Sequence, residues 1–210
     1  VRNLVSQLEI IPGLAAIILC GGKSERMGFR KEWLTLEGET LLARLARELS
    51  SVADPIIVAT GKESPVPPLP SSIMIVRDKD EERGPLAGMH AGFSALPPQV
   101  SRAFVISCDM PFMTSSIVRK LDAQLAEAWC VLPIYLDVPQ PLCAIYRRES
   151  LPVIDELLNT ARTGPRDLFA RIPASLLGAD QIRSSDDERR ALQSFNTPEE
   201  WAQIRMSSDI

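Results

Sequence analysis

Apolar residues fall in two rhythms along this chain. Unbroken runs of strand length occur at LAAIILC (14–20), PIIVAT (55–60), IMIVRD (73–78) and AFVISCD (103–109), then at WCVLPIY and PLCAIYRR around 129–148. Between them, ETLLARLARELS (39–50), GMHAGFSAL (88–96), TSSIVRKLDAQLAEA (114–128) and ESLPVIDELLNT (149–160) repeat apolar residues three and four positions apart, the spacing of a helix with one buried face. Continuous apolar strands alternating with helices predict an α/β fold of three layers, a mostly parallel sheet with helices on both faces and right-handed crossovers. The short VPQ link between the last two runs predicts an antiparallel pair. SPVPPLP (64–70) reads as a surface connection, and the charged stretch QIRSSDDERRALQ (181–193) as a mobile one. Near the C-terminus, FNTPEEWAQI carries a helix start, with Thr197 as cap, Pro198 in the first turn, and Glu199 and Glu200 at the positive end.

Composition narrows the picture. A chain of 210 residues with 45% hydrophobic content buries one sizeable core, so the expected organisation is a tail over 1–12 and a single domain over 13–205. A net charge of −4 gives no basic field for a nucleic-acid backbone. No apolar run reaches the ~18 residues of a membrane span, and the first ten residues lack the pattern of a secretory leader. Cys20, Cys108, Cys130 and Cys143 form no CxxC pair and have a single histidine to complement them, which argues against a structural zinc site. Reduced thiols and a cytoplasmic location are the expectation.

Chemistry concentrates where strands end. The first run enters Gly21-Gly22 and a polar turn that closes at Gly28 and Lys31, at the carboxyl edge where open α/β sheets bind ligands. Paired glycines let backbone N–H groups close around an anion, and Arg26 and Lys31 add charge-assisted hydrogen bonds to phosphate oxygens. The dinucleotide fingerprint GxGxxG is absent, and Ile17 stands where a Walker A loop needs its first glycine. Asp109, at the end of AFVISCD, reaches the same edge and is the candidate Mg²⁺ ligand, since Mg²⁺ takes one or two carboxylates plus phosphate oxygens and waters. Asp109 as a cap for the helix beginning near Thr114 is the competing structural reading.

The run LCGGKSERMGFRK resembles the signature of nucleotidyltransferases that activate sugars, isoprenoid precursors and pterin cofactors. The sugar branch carries GGxGTRL and a proline-rich approach to the lysine, which this chain lacks. Gly84-Pro85-Leu86-Ala87-Gly88, six residues after Asp78, together with CDMP at 108–111 and NTPEE at 196–200, resembles the molybdenum cofactor guanylyltransferase family over about residues 14–203. The resemblance implies a Rossmann-like nucleotidyltransferase fold that binds GTP through Leu19, Cys20, Gly21, Gly22, Ser24, Lys31, Asp78, Gly84 and Asp109. It implies Arg26, Lys31 and Asp109 as catalytic residues, Mg²⁺ on Asp109, and Asn196 together with the 141–151 segment facing molybdopterin. Cofactor-carrying proteins and molybdoenzymes are the implied downstream partners. Two departures stand out: Cys20 replaces an alanine, and Ala59-Thr60 leaves only Thr60 where relatives place a polar residue for the nucleotide. His90 reads as a helix residue, and Arg147 and Arg148 as solvated charges. The alternatives are a cytidylyltransferase acting on the same acceptor, one acting on an isoprenoid precursor, and a nucleotide-binding module without catalysis.

Overall fold

In the computed structural model, residues 9–21, 29–78, 83–160, 164–182 and 186–206 are described. The strands are β1 (Leu14–Leu19), β2 (Thr35–Leu36), β3 (Glu39–Thr40), β4 (Ile56–Thr60), β5 (Met74–Arg77), β6 (Arg102–Ser107), β7 (Cys130–Tyr135), β8 (Val138–Pro139), β9 (Cys143–Arg147) and β10 (Ala174–Leu177). The helices are α1 (Leu41–Leu49), α2 (Pro85–Ser94), α3 (Ser115–Ala123), α4 (Leu151–Leu158), α5 (Pro165–Arg171), α6 (Ala179–Ile182), α7 (Asp186–Ala191) and α8 (Pro198–Met206).

The main sheet has the order β10-β7-β9-β6-β1-β4-β5, with β8 attached to β7. β1 is an inner strand, parallel to β4 and β6 on either side, and its six residues LAAIIL are all buried with apolar neighbours to meet on both faces. On that path β9 alone runs against the others, antiparallel to both β6 and β7, which is the pair that the short link predicts. Its reversal brings the loop before it, Gln140–Leu142, to the edge where the parallel strands end; Ser107 N–H donates to the Leu142 carbonyl at 3.1 Å.

Period-two alternation in β1 divides the core. Leu14, Ala16, Ile18 and Cys20 face one layer with Leu42, Leu45 and Leu49 of α1 and Ile117, Val118 and Leu121 of α3. Ala15, Ile17 and Leu19 face the other with Leu86, Met89 and Phe93 of α2 and Ile154 and Leu157 of α4. A third cluster, Leu36, Leu41, Phe195, Trp201 and Ile204, docks α8 beside the β2–β3 hairpin. The Thr40 side chain accepts a hydrogen bond from Ala43 N–H and fixes the start of α1.

The 181–193 stretch departs from its reading as a mobile connection. It contains α6 and α7, with Ile182, Ala191 and Leu192 fully buried and Glu188 accepting from Ser116 Oγ and pairing with Lys120. Its charges hide a few apolar anchors whose partners lie on distant α3. Arg147 and Arg148 also depart from the reading as solvated charges. Arg147 Nε donates to the Ala128 carbonyl at 2.9 Å, and Arg148 Nε to Val100 at 3.0 Å, so both guanidiniums satisfy loop carbonyls. Among the described residues no helix is long and apolar enough to cross a membrane.

Candidate active site

The carboxyl edge is built first from backbone. At the end of β1, Gly21 has φ +101°, a conformation that side chains with a Cβ rarely adopt. An added Cβ would meet Gly61 N at 3.3 Å and Thr60 Oγ1 at 3.5 Å, so the β1 turn lies close against the end of β4. Thr60 is 1% exposed, and among the described residues its hydroxyl has no hydrogen-bond partner. Asp78 follows β5 one position over, its N–H bonded to the Thr60 carbonyl at 3.0 Å.

Gly84 caps α2 with φ 61° and ψ −149°, a region of the map that is essentially glycine's own. Pro85 then occupies the first turn, where its missing N–H costs nothing. The other glycines of this segment serve packing. A Cβ on Gly88 would lie 3.1 Å from Leu19 Cδ2, and one on Gly92 only 2.6 Å from Ile17 Cγ2. The last glycine of GPLAG therefore lets α2 approach β1, and Gly92 repeats the device one turn later.

Charge gathers one strand away. Ser107 and Asp109 stand two residues apart at the end of β6, and the Ser107 hydroxyl donates to Asp109 Oδ1. The other carboxylate oxygen, Oδ2, accepts from Lys31 Nζ at 3.2 Å. Lys31 begins a 3₁₀ turn, Lys31–Trp33, which folds back after the glycine-rich run. Its ammonium also donates to the Phe195 carbonyl at 2.6 Å and to Asn196 Oδ1 at 3.0 Å, and lies 5.1 Å from the centre of the Phe195 ring. Phe195 N–H in turn donates to the Asp109 carbonyl at 3.3 Å. Asn196 is held by Glu200, which accepts from the N–H groups of Asn196 and Thr197 while Thr197 Oγ1 accepts from Glu200 N–H.

Of the sequence-derived site residues, Lys31, Asp109 and Asn196 thus come into direct contact across 165 positions of chain. Leu19, Cys20, Gly21 and Asp78 line up on the adjoining strand ends, with Gly84 at the start of α2. Gly22, Ser24 and Arg26 lie outside the described residues. His90 sits in α2 and pairs with Asp155 at 2.7 Å, in keeping with its reading as a helix residue.

Beside Asp109 opens a cavity of about 480 Å³ lined by Ser107, Gln140, Leu142, Arg166, Ser194 and Asn196 among others. Sequence reasoning missed Ser107, Gln140, Arg166 and Ser194. Ser107 was within reach, because residues i and i+2 of a strand share a face. The Gly164-Pro165 start of α5, with Asp167 accepting from Gly164 N–H at 2.8 Å, was a readable helix signal, but nothing local tells that this helix faces Asp109.

Thiols sit beneath the site. Cys20 is held well above the usual thiol range by a hydrogen bond with the Cys108 thiol, then by burial and by the negative charge of Glu32. Burial, aided by the nearby Asp109 carboxylate, likewise raises Cys143. These side chains stay protonated and serve packing. Among the described residues no three His, Cys, Asp or Glu side chains are grouped to hold a metal by themselves. A divalent ion at Asp109 would therefore draw its remaining ligands from phosphate and water, which is the shell Mg²⁺ prefers, and the Lys31 ammonium shows that this carboxylate accepts a cation.

The MobA-like NTP transferase domain family matches residues 16–176. A molybdenum cofactor guanylyltransferase of Desulfosudis oleivorans is 27% identical over 189 residues, covering 89% of this chain and 92% of the relative. A probable molybdenum cofactor guanylyltransferase of Methanosarcina acetivorans is 32% identical over 208 residues, covering 91% and 92%. Among solved structures, molybdopterin-guanine dinucleotide biosynthesis protein A from Archaeoglobus fulgidus shares the fold with a TM-score of 0.76 at 19% identity, covering 93% of this chain and all of that one. The 2-C-methyl-D-erythritol 4-phosphate cytidylyltransferase of Thermus thermophilus shares it at 0.67 and 13%, covering 93% and 99%. The matched span runs from β1 through β10 and includes both the β1 turn and Asp109, and on that ground this chain belongs to the MobA-like NTP transferase domain family and is a nucleotidyltransferase.

Proposed function

We propose that this protein transfers GMP from GTP to molybdopterin, forming the guanine dinucleotide form of the molybdenum cofactor and releasing pyrophosphate with the help of Mg²⁺. The observation that carries the reading is the Lys31 ammonium, which bonds Asp109 of the strand edge and Asn196 of the C-terminal segment at once. It ties the phosphate turn to the acceptor side of the cavity. The curated relatives point the same way, being named for guanylyl transfer to the molybdenum cofactor.

In this scheme the β1 turn and Lys31 hold the triphosphate, while Thr60, Asp78 and Gly84 border the nucleoside. Gln140, Leu142 and Asn196 line the cavity that receives molybdopterin. Mg²⁺, held by Asp109, would neutralise charge on the phosphates. A terminal phosphate is already largely ionised near neutral pH, its second pKa being about 6, so its attack on the α-phosphorus needs no general base. Positioning and electrostatics then supply most of the rate.

The test is pyrophosphate release by the full chain with molybdopterin and Mg²⁺, offered GTP, CTP or ATP in turn. Turnover with GTP well above the other two is expected. A preference for CTP would replace this reading with cytidylyl transfer on the same fold, which a cytidylyltransferase also uses. Failure with all three would remove molybdopterin as the acceptor.

A further inference from the structure

The Lys31 ammonium has three protons, and three acceptors take them: Asp109 Oδ2 at 3.2 Å, the Phe195 carbonyl at 2.6 Å and Asn196 Oδ1 at 3.0 Å. The carboxylate is equally committed, with Oδ1 on the Ser107 hydroxyl and Oδ2 on Lys31. Both charged side chains are largely withdrawn from water, 14% and 17% exposed. Lys31 therefore meets a phosphate only by giving up one of these bonds, and a metal on Asp109 Oδ2 would have to sit against the ammonium or displace it.

We propose that Lys31 is a placeholder cation: it closes Asp109 to a free divalent ion and releases it only when nucleotide phosphates draw the ammonium away, so that metal and nucleotide bind together. This rests on the assignment of the metal to Asp109 above. A divalent ion arriving alone would have to displace the ammonium, whose remaining partners are a carbonyl and an amide oxygen, and leave two positive centres side by side. A triphosphate changes the balance, because its oxygens offer Lys31 charge-assisted hydrogen bonds in exchange for Oδ2. The same movement gives up the bonds to Phe195 and Asn196. The Asn196 side chain is thus released towards the acceptor cavity when nucleotide binds, while Glu200 and the Phe195 N–H bond keep the segment itself in place. Linkage makes the exclusion mutual: whatever Lys31 costs the metal, bound metal costs the Lys31 contact.

The experiment is Mn²⁺ binding to the full chain, followed by electron paramagnetic resonance with and without GTP. Without nucleotide, Lys31→Gln, which keeps a donor but loses the charge, is expected to bind Mn²⁺ about tenfold or more tightly than the unaltered chain. The double variant Lys31→Gln with Asp109→Asn is expected to lose that gain. Equal Mn²⁺ affinity for the unaltered chain and Lys31→Gln, or a gain that survives in the double variant, overturns the placeholder. The GTP arm separates this from the broader reading. Mn²⁺ held by the unaltered chain with GTP, and lost in Asp109→Asn with GTP, keeps the metal assignment even when the placeholder fails, whereas no Mn²⁺ uptake with GTP sinks both. A measurement on the unaltered chain covers any loss of folding in the variants. The ¹⁵N resonance of the Lys31 ammonium is expected to shift with GTP and Mg²⁺ and to stay put with Mg²⁺ alone; a shift with Mg²⁺ alone overturns the proposal.

Discussion

The two halves of the sheet's carboxyl edge solve different problems. On the β1, β4 and β5 side every strand is parallel, and the features are mostly backbone, Gly21 at positive φ and Gly84 at the head of α2, with the buried Thr60 hydroxyl beside them. On the β6, β9 and β7 side the reversed strand β9 intervenes, and the chemistry is side chains drawn from residues 107–109, 140–142, 166 and 194–196. For the proposed reaction, backbone would suit a triphosphate, whose many equivalent oxygens closely spaced N–H groups can neutralise without particular side chains. Seating one ion and one acceptor, the other half of that proposal, would need individual groups aimed at a point. Lys31 is where the halves meet.

Breaking the side-chain half should have the largest effect. Asp109→Ala is expected to lower Mg²⁺-dependent turnover on the order of 10³-fold, while circular dichroism and the thermal midpoint stay close to those of the unaltered chain. Near-normal turnover would place the metal elsewhere.

The backbone half should fail through packing instead. Gly92→Ala puts a methyl 2.6 Å from Ile17 Cγ2 in a fully buried contact. The expected cost is about 1–3 kcal/mol, read as a lower thermal midpoint. Gly88→Ala, at 3.1 Å from the end of the Leu19 side chain, should cost less because that methyl can rotate away. Equal losses at the two sites would contradict the close approach of α2 to β1 described here.

Thr60→Val sharpens the contrast, since its two readouts move in opposite directions. Removing an orphaned hydroxyl should leave stability to urea unchanged or raise it by about 1 kcal/mol, while calorimetry should show GTP binding weakened a few-fold. A loss of stability with no loss of affinity would mean that the hydroxyl serves the fold.

The effect that is smallest near neutral pH, and grows only above it, concerns titration. Burial lifts Cys130 from 9.0 to about 12, so the folded chain keeps a proton that the unfolded chain gives up first. The stability linked to this thiol is complete below pH 9.0 and is lost as pH rises towards about 12, at about 1.4 kcal/mol per pH unit. Cys20 and Cys143 shift in the same direction. Denaturation of Cys130→Ala across that window should show a shallower decline than the unaltered chain, and parallel declines would count against the burial argument.

Legibility followed the same division. The β1 and β4 strands and the glycine turn after β1 were readable because a buried parallel strand is a continuous apolar run and a turn is a local string. The role of Gly88 and Gly92 was not, since a glycine shows what it lacks and not which residue approaches it. On the other side, Asp109 was readable as the end of a strand and Ser107 was within reach as its neighbour on the same face, yet Arg166 in its cavity was not. The charged 181–193 stretch misled because, among its described residues, the apolar anchors Ile182, Ala191 and Leu192 are scattered between charges and set no period.

The sequence by itself determined the alternation of strands and helices, the glycine turn, and the candidacy of Lys31 and Asp109, while Asn196 entered only through the family resemblance. Those features rest on periodicity, on glycine stereochemistry and on residue types that carry charge, all of which are local. Only the tertiary structure decided that these three residues share one ammonium, that β9 runs backwards to bring 140–142 to the edge, and that α2 rides on Ile17. Contacts between residues as far apart as 165 positions depend on which elements pack together, and that is fixed by the burial of whole faces rather than by any short stretch of chain.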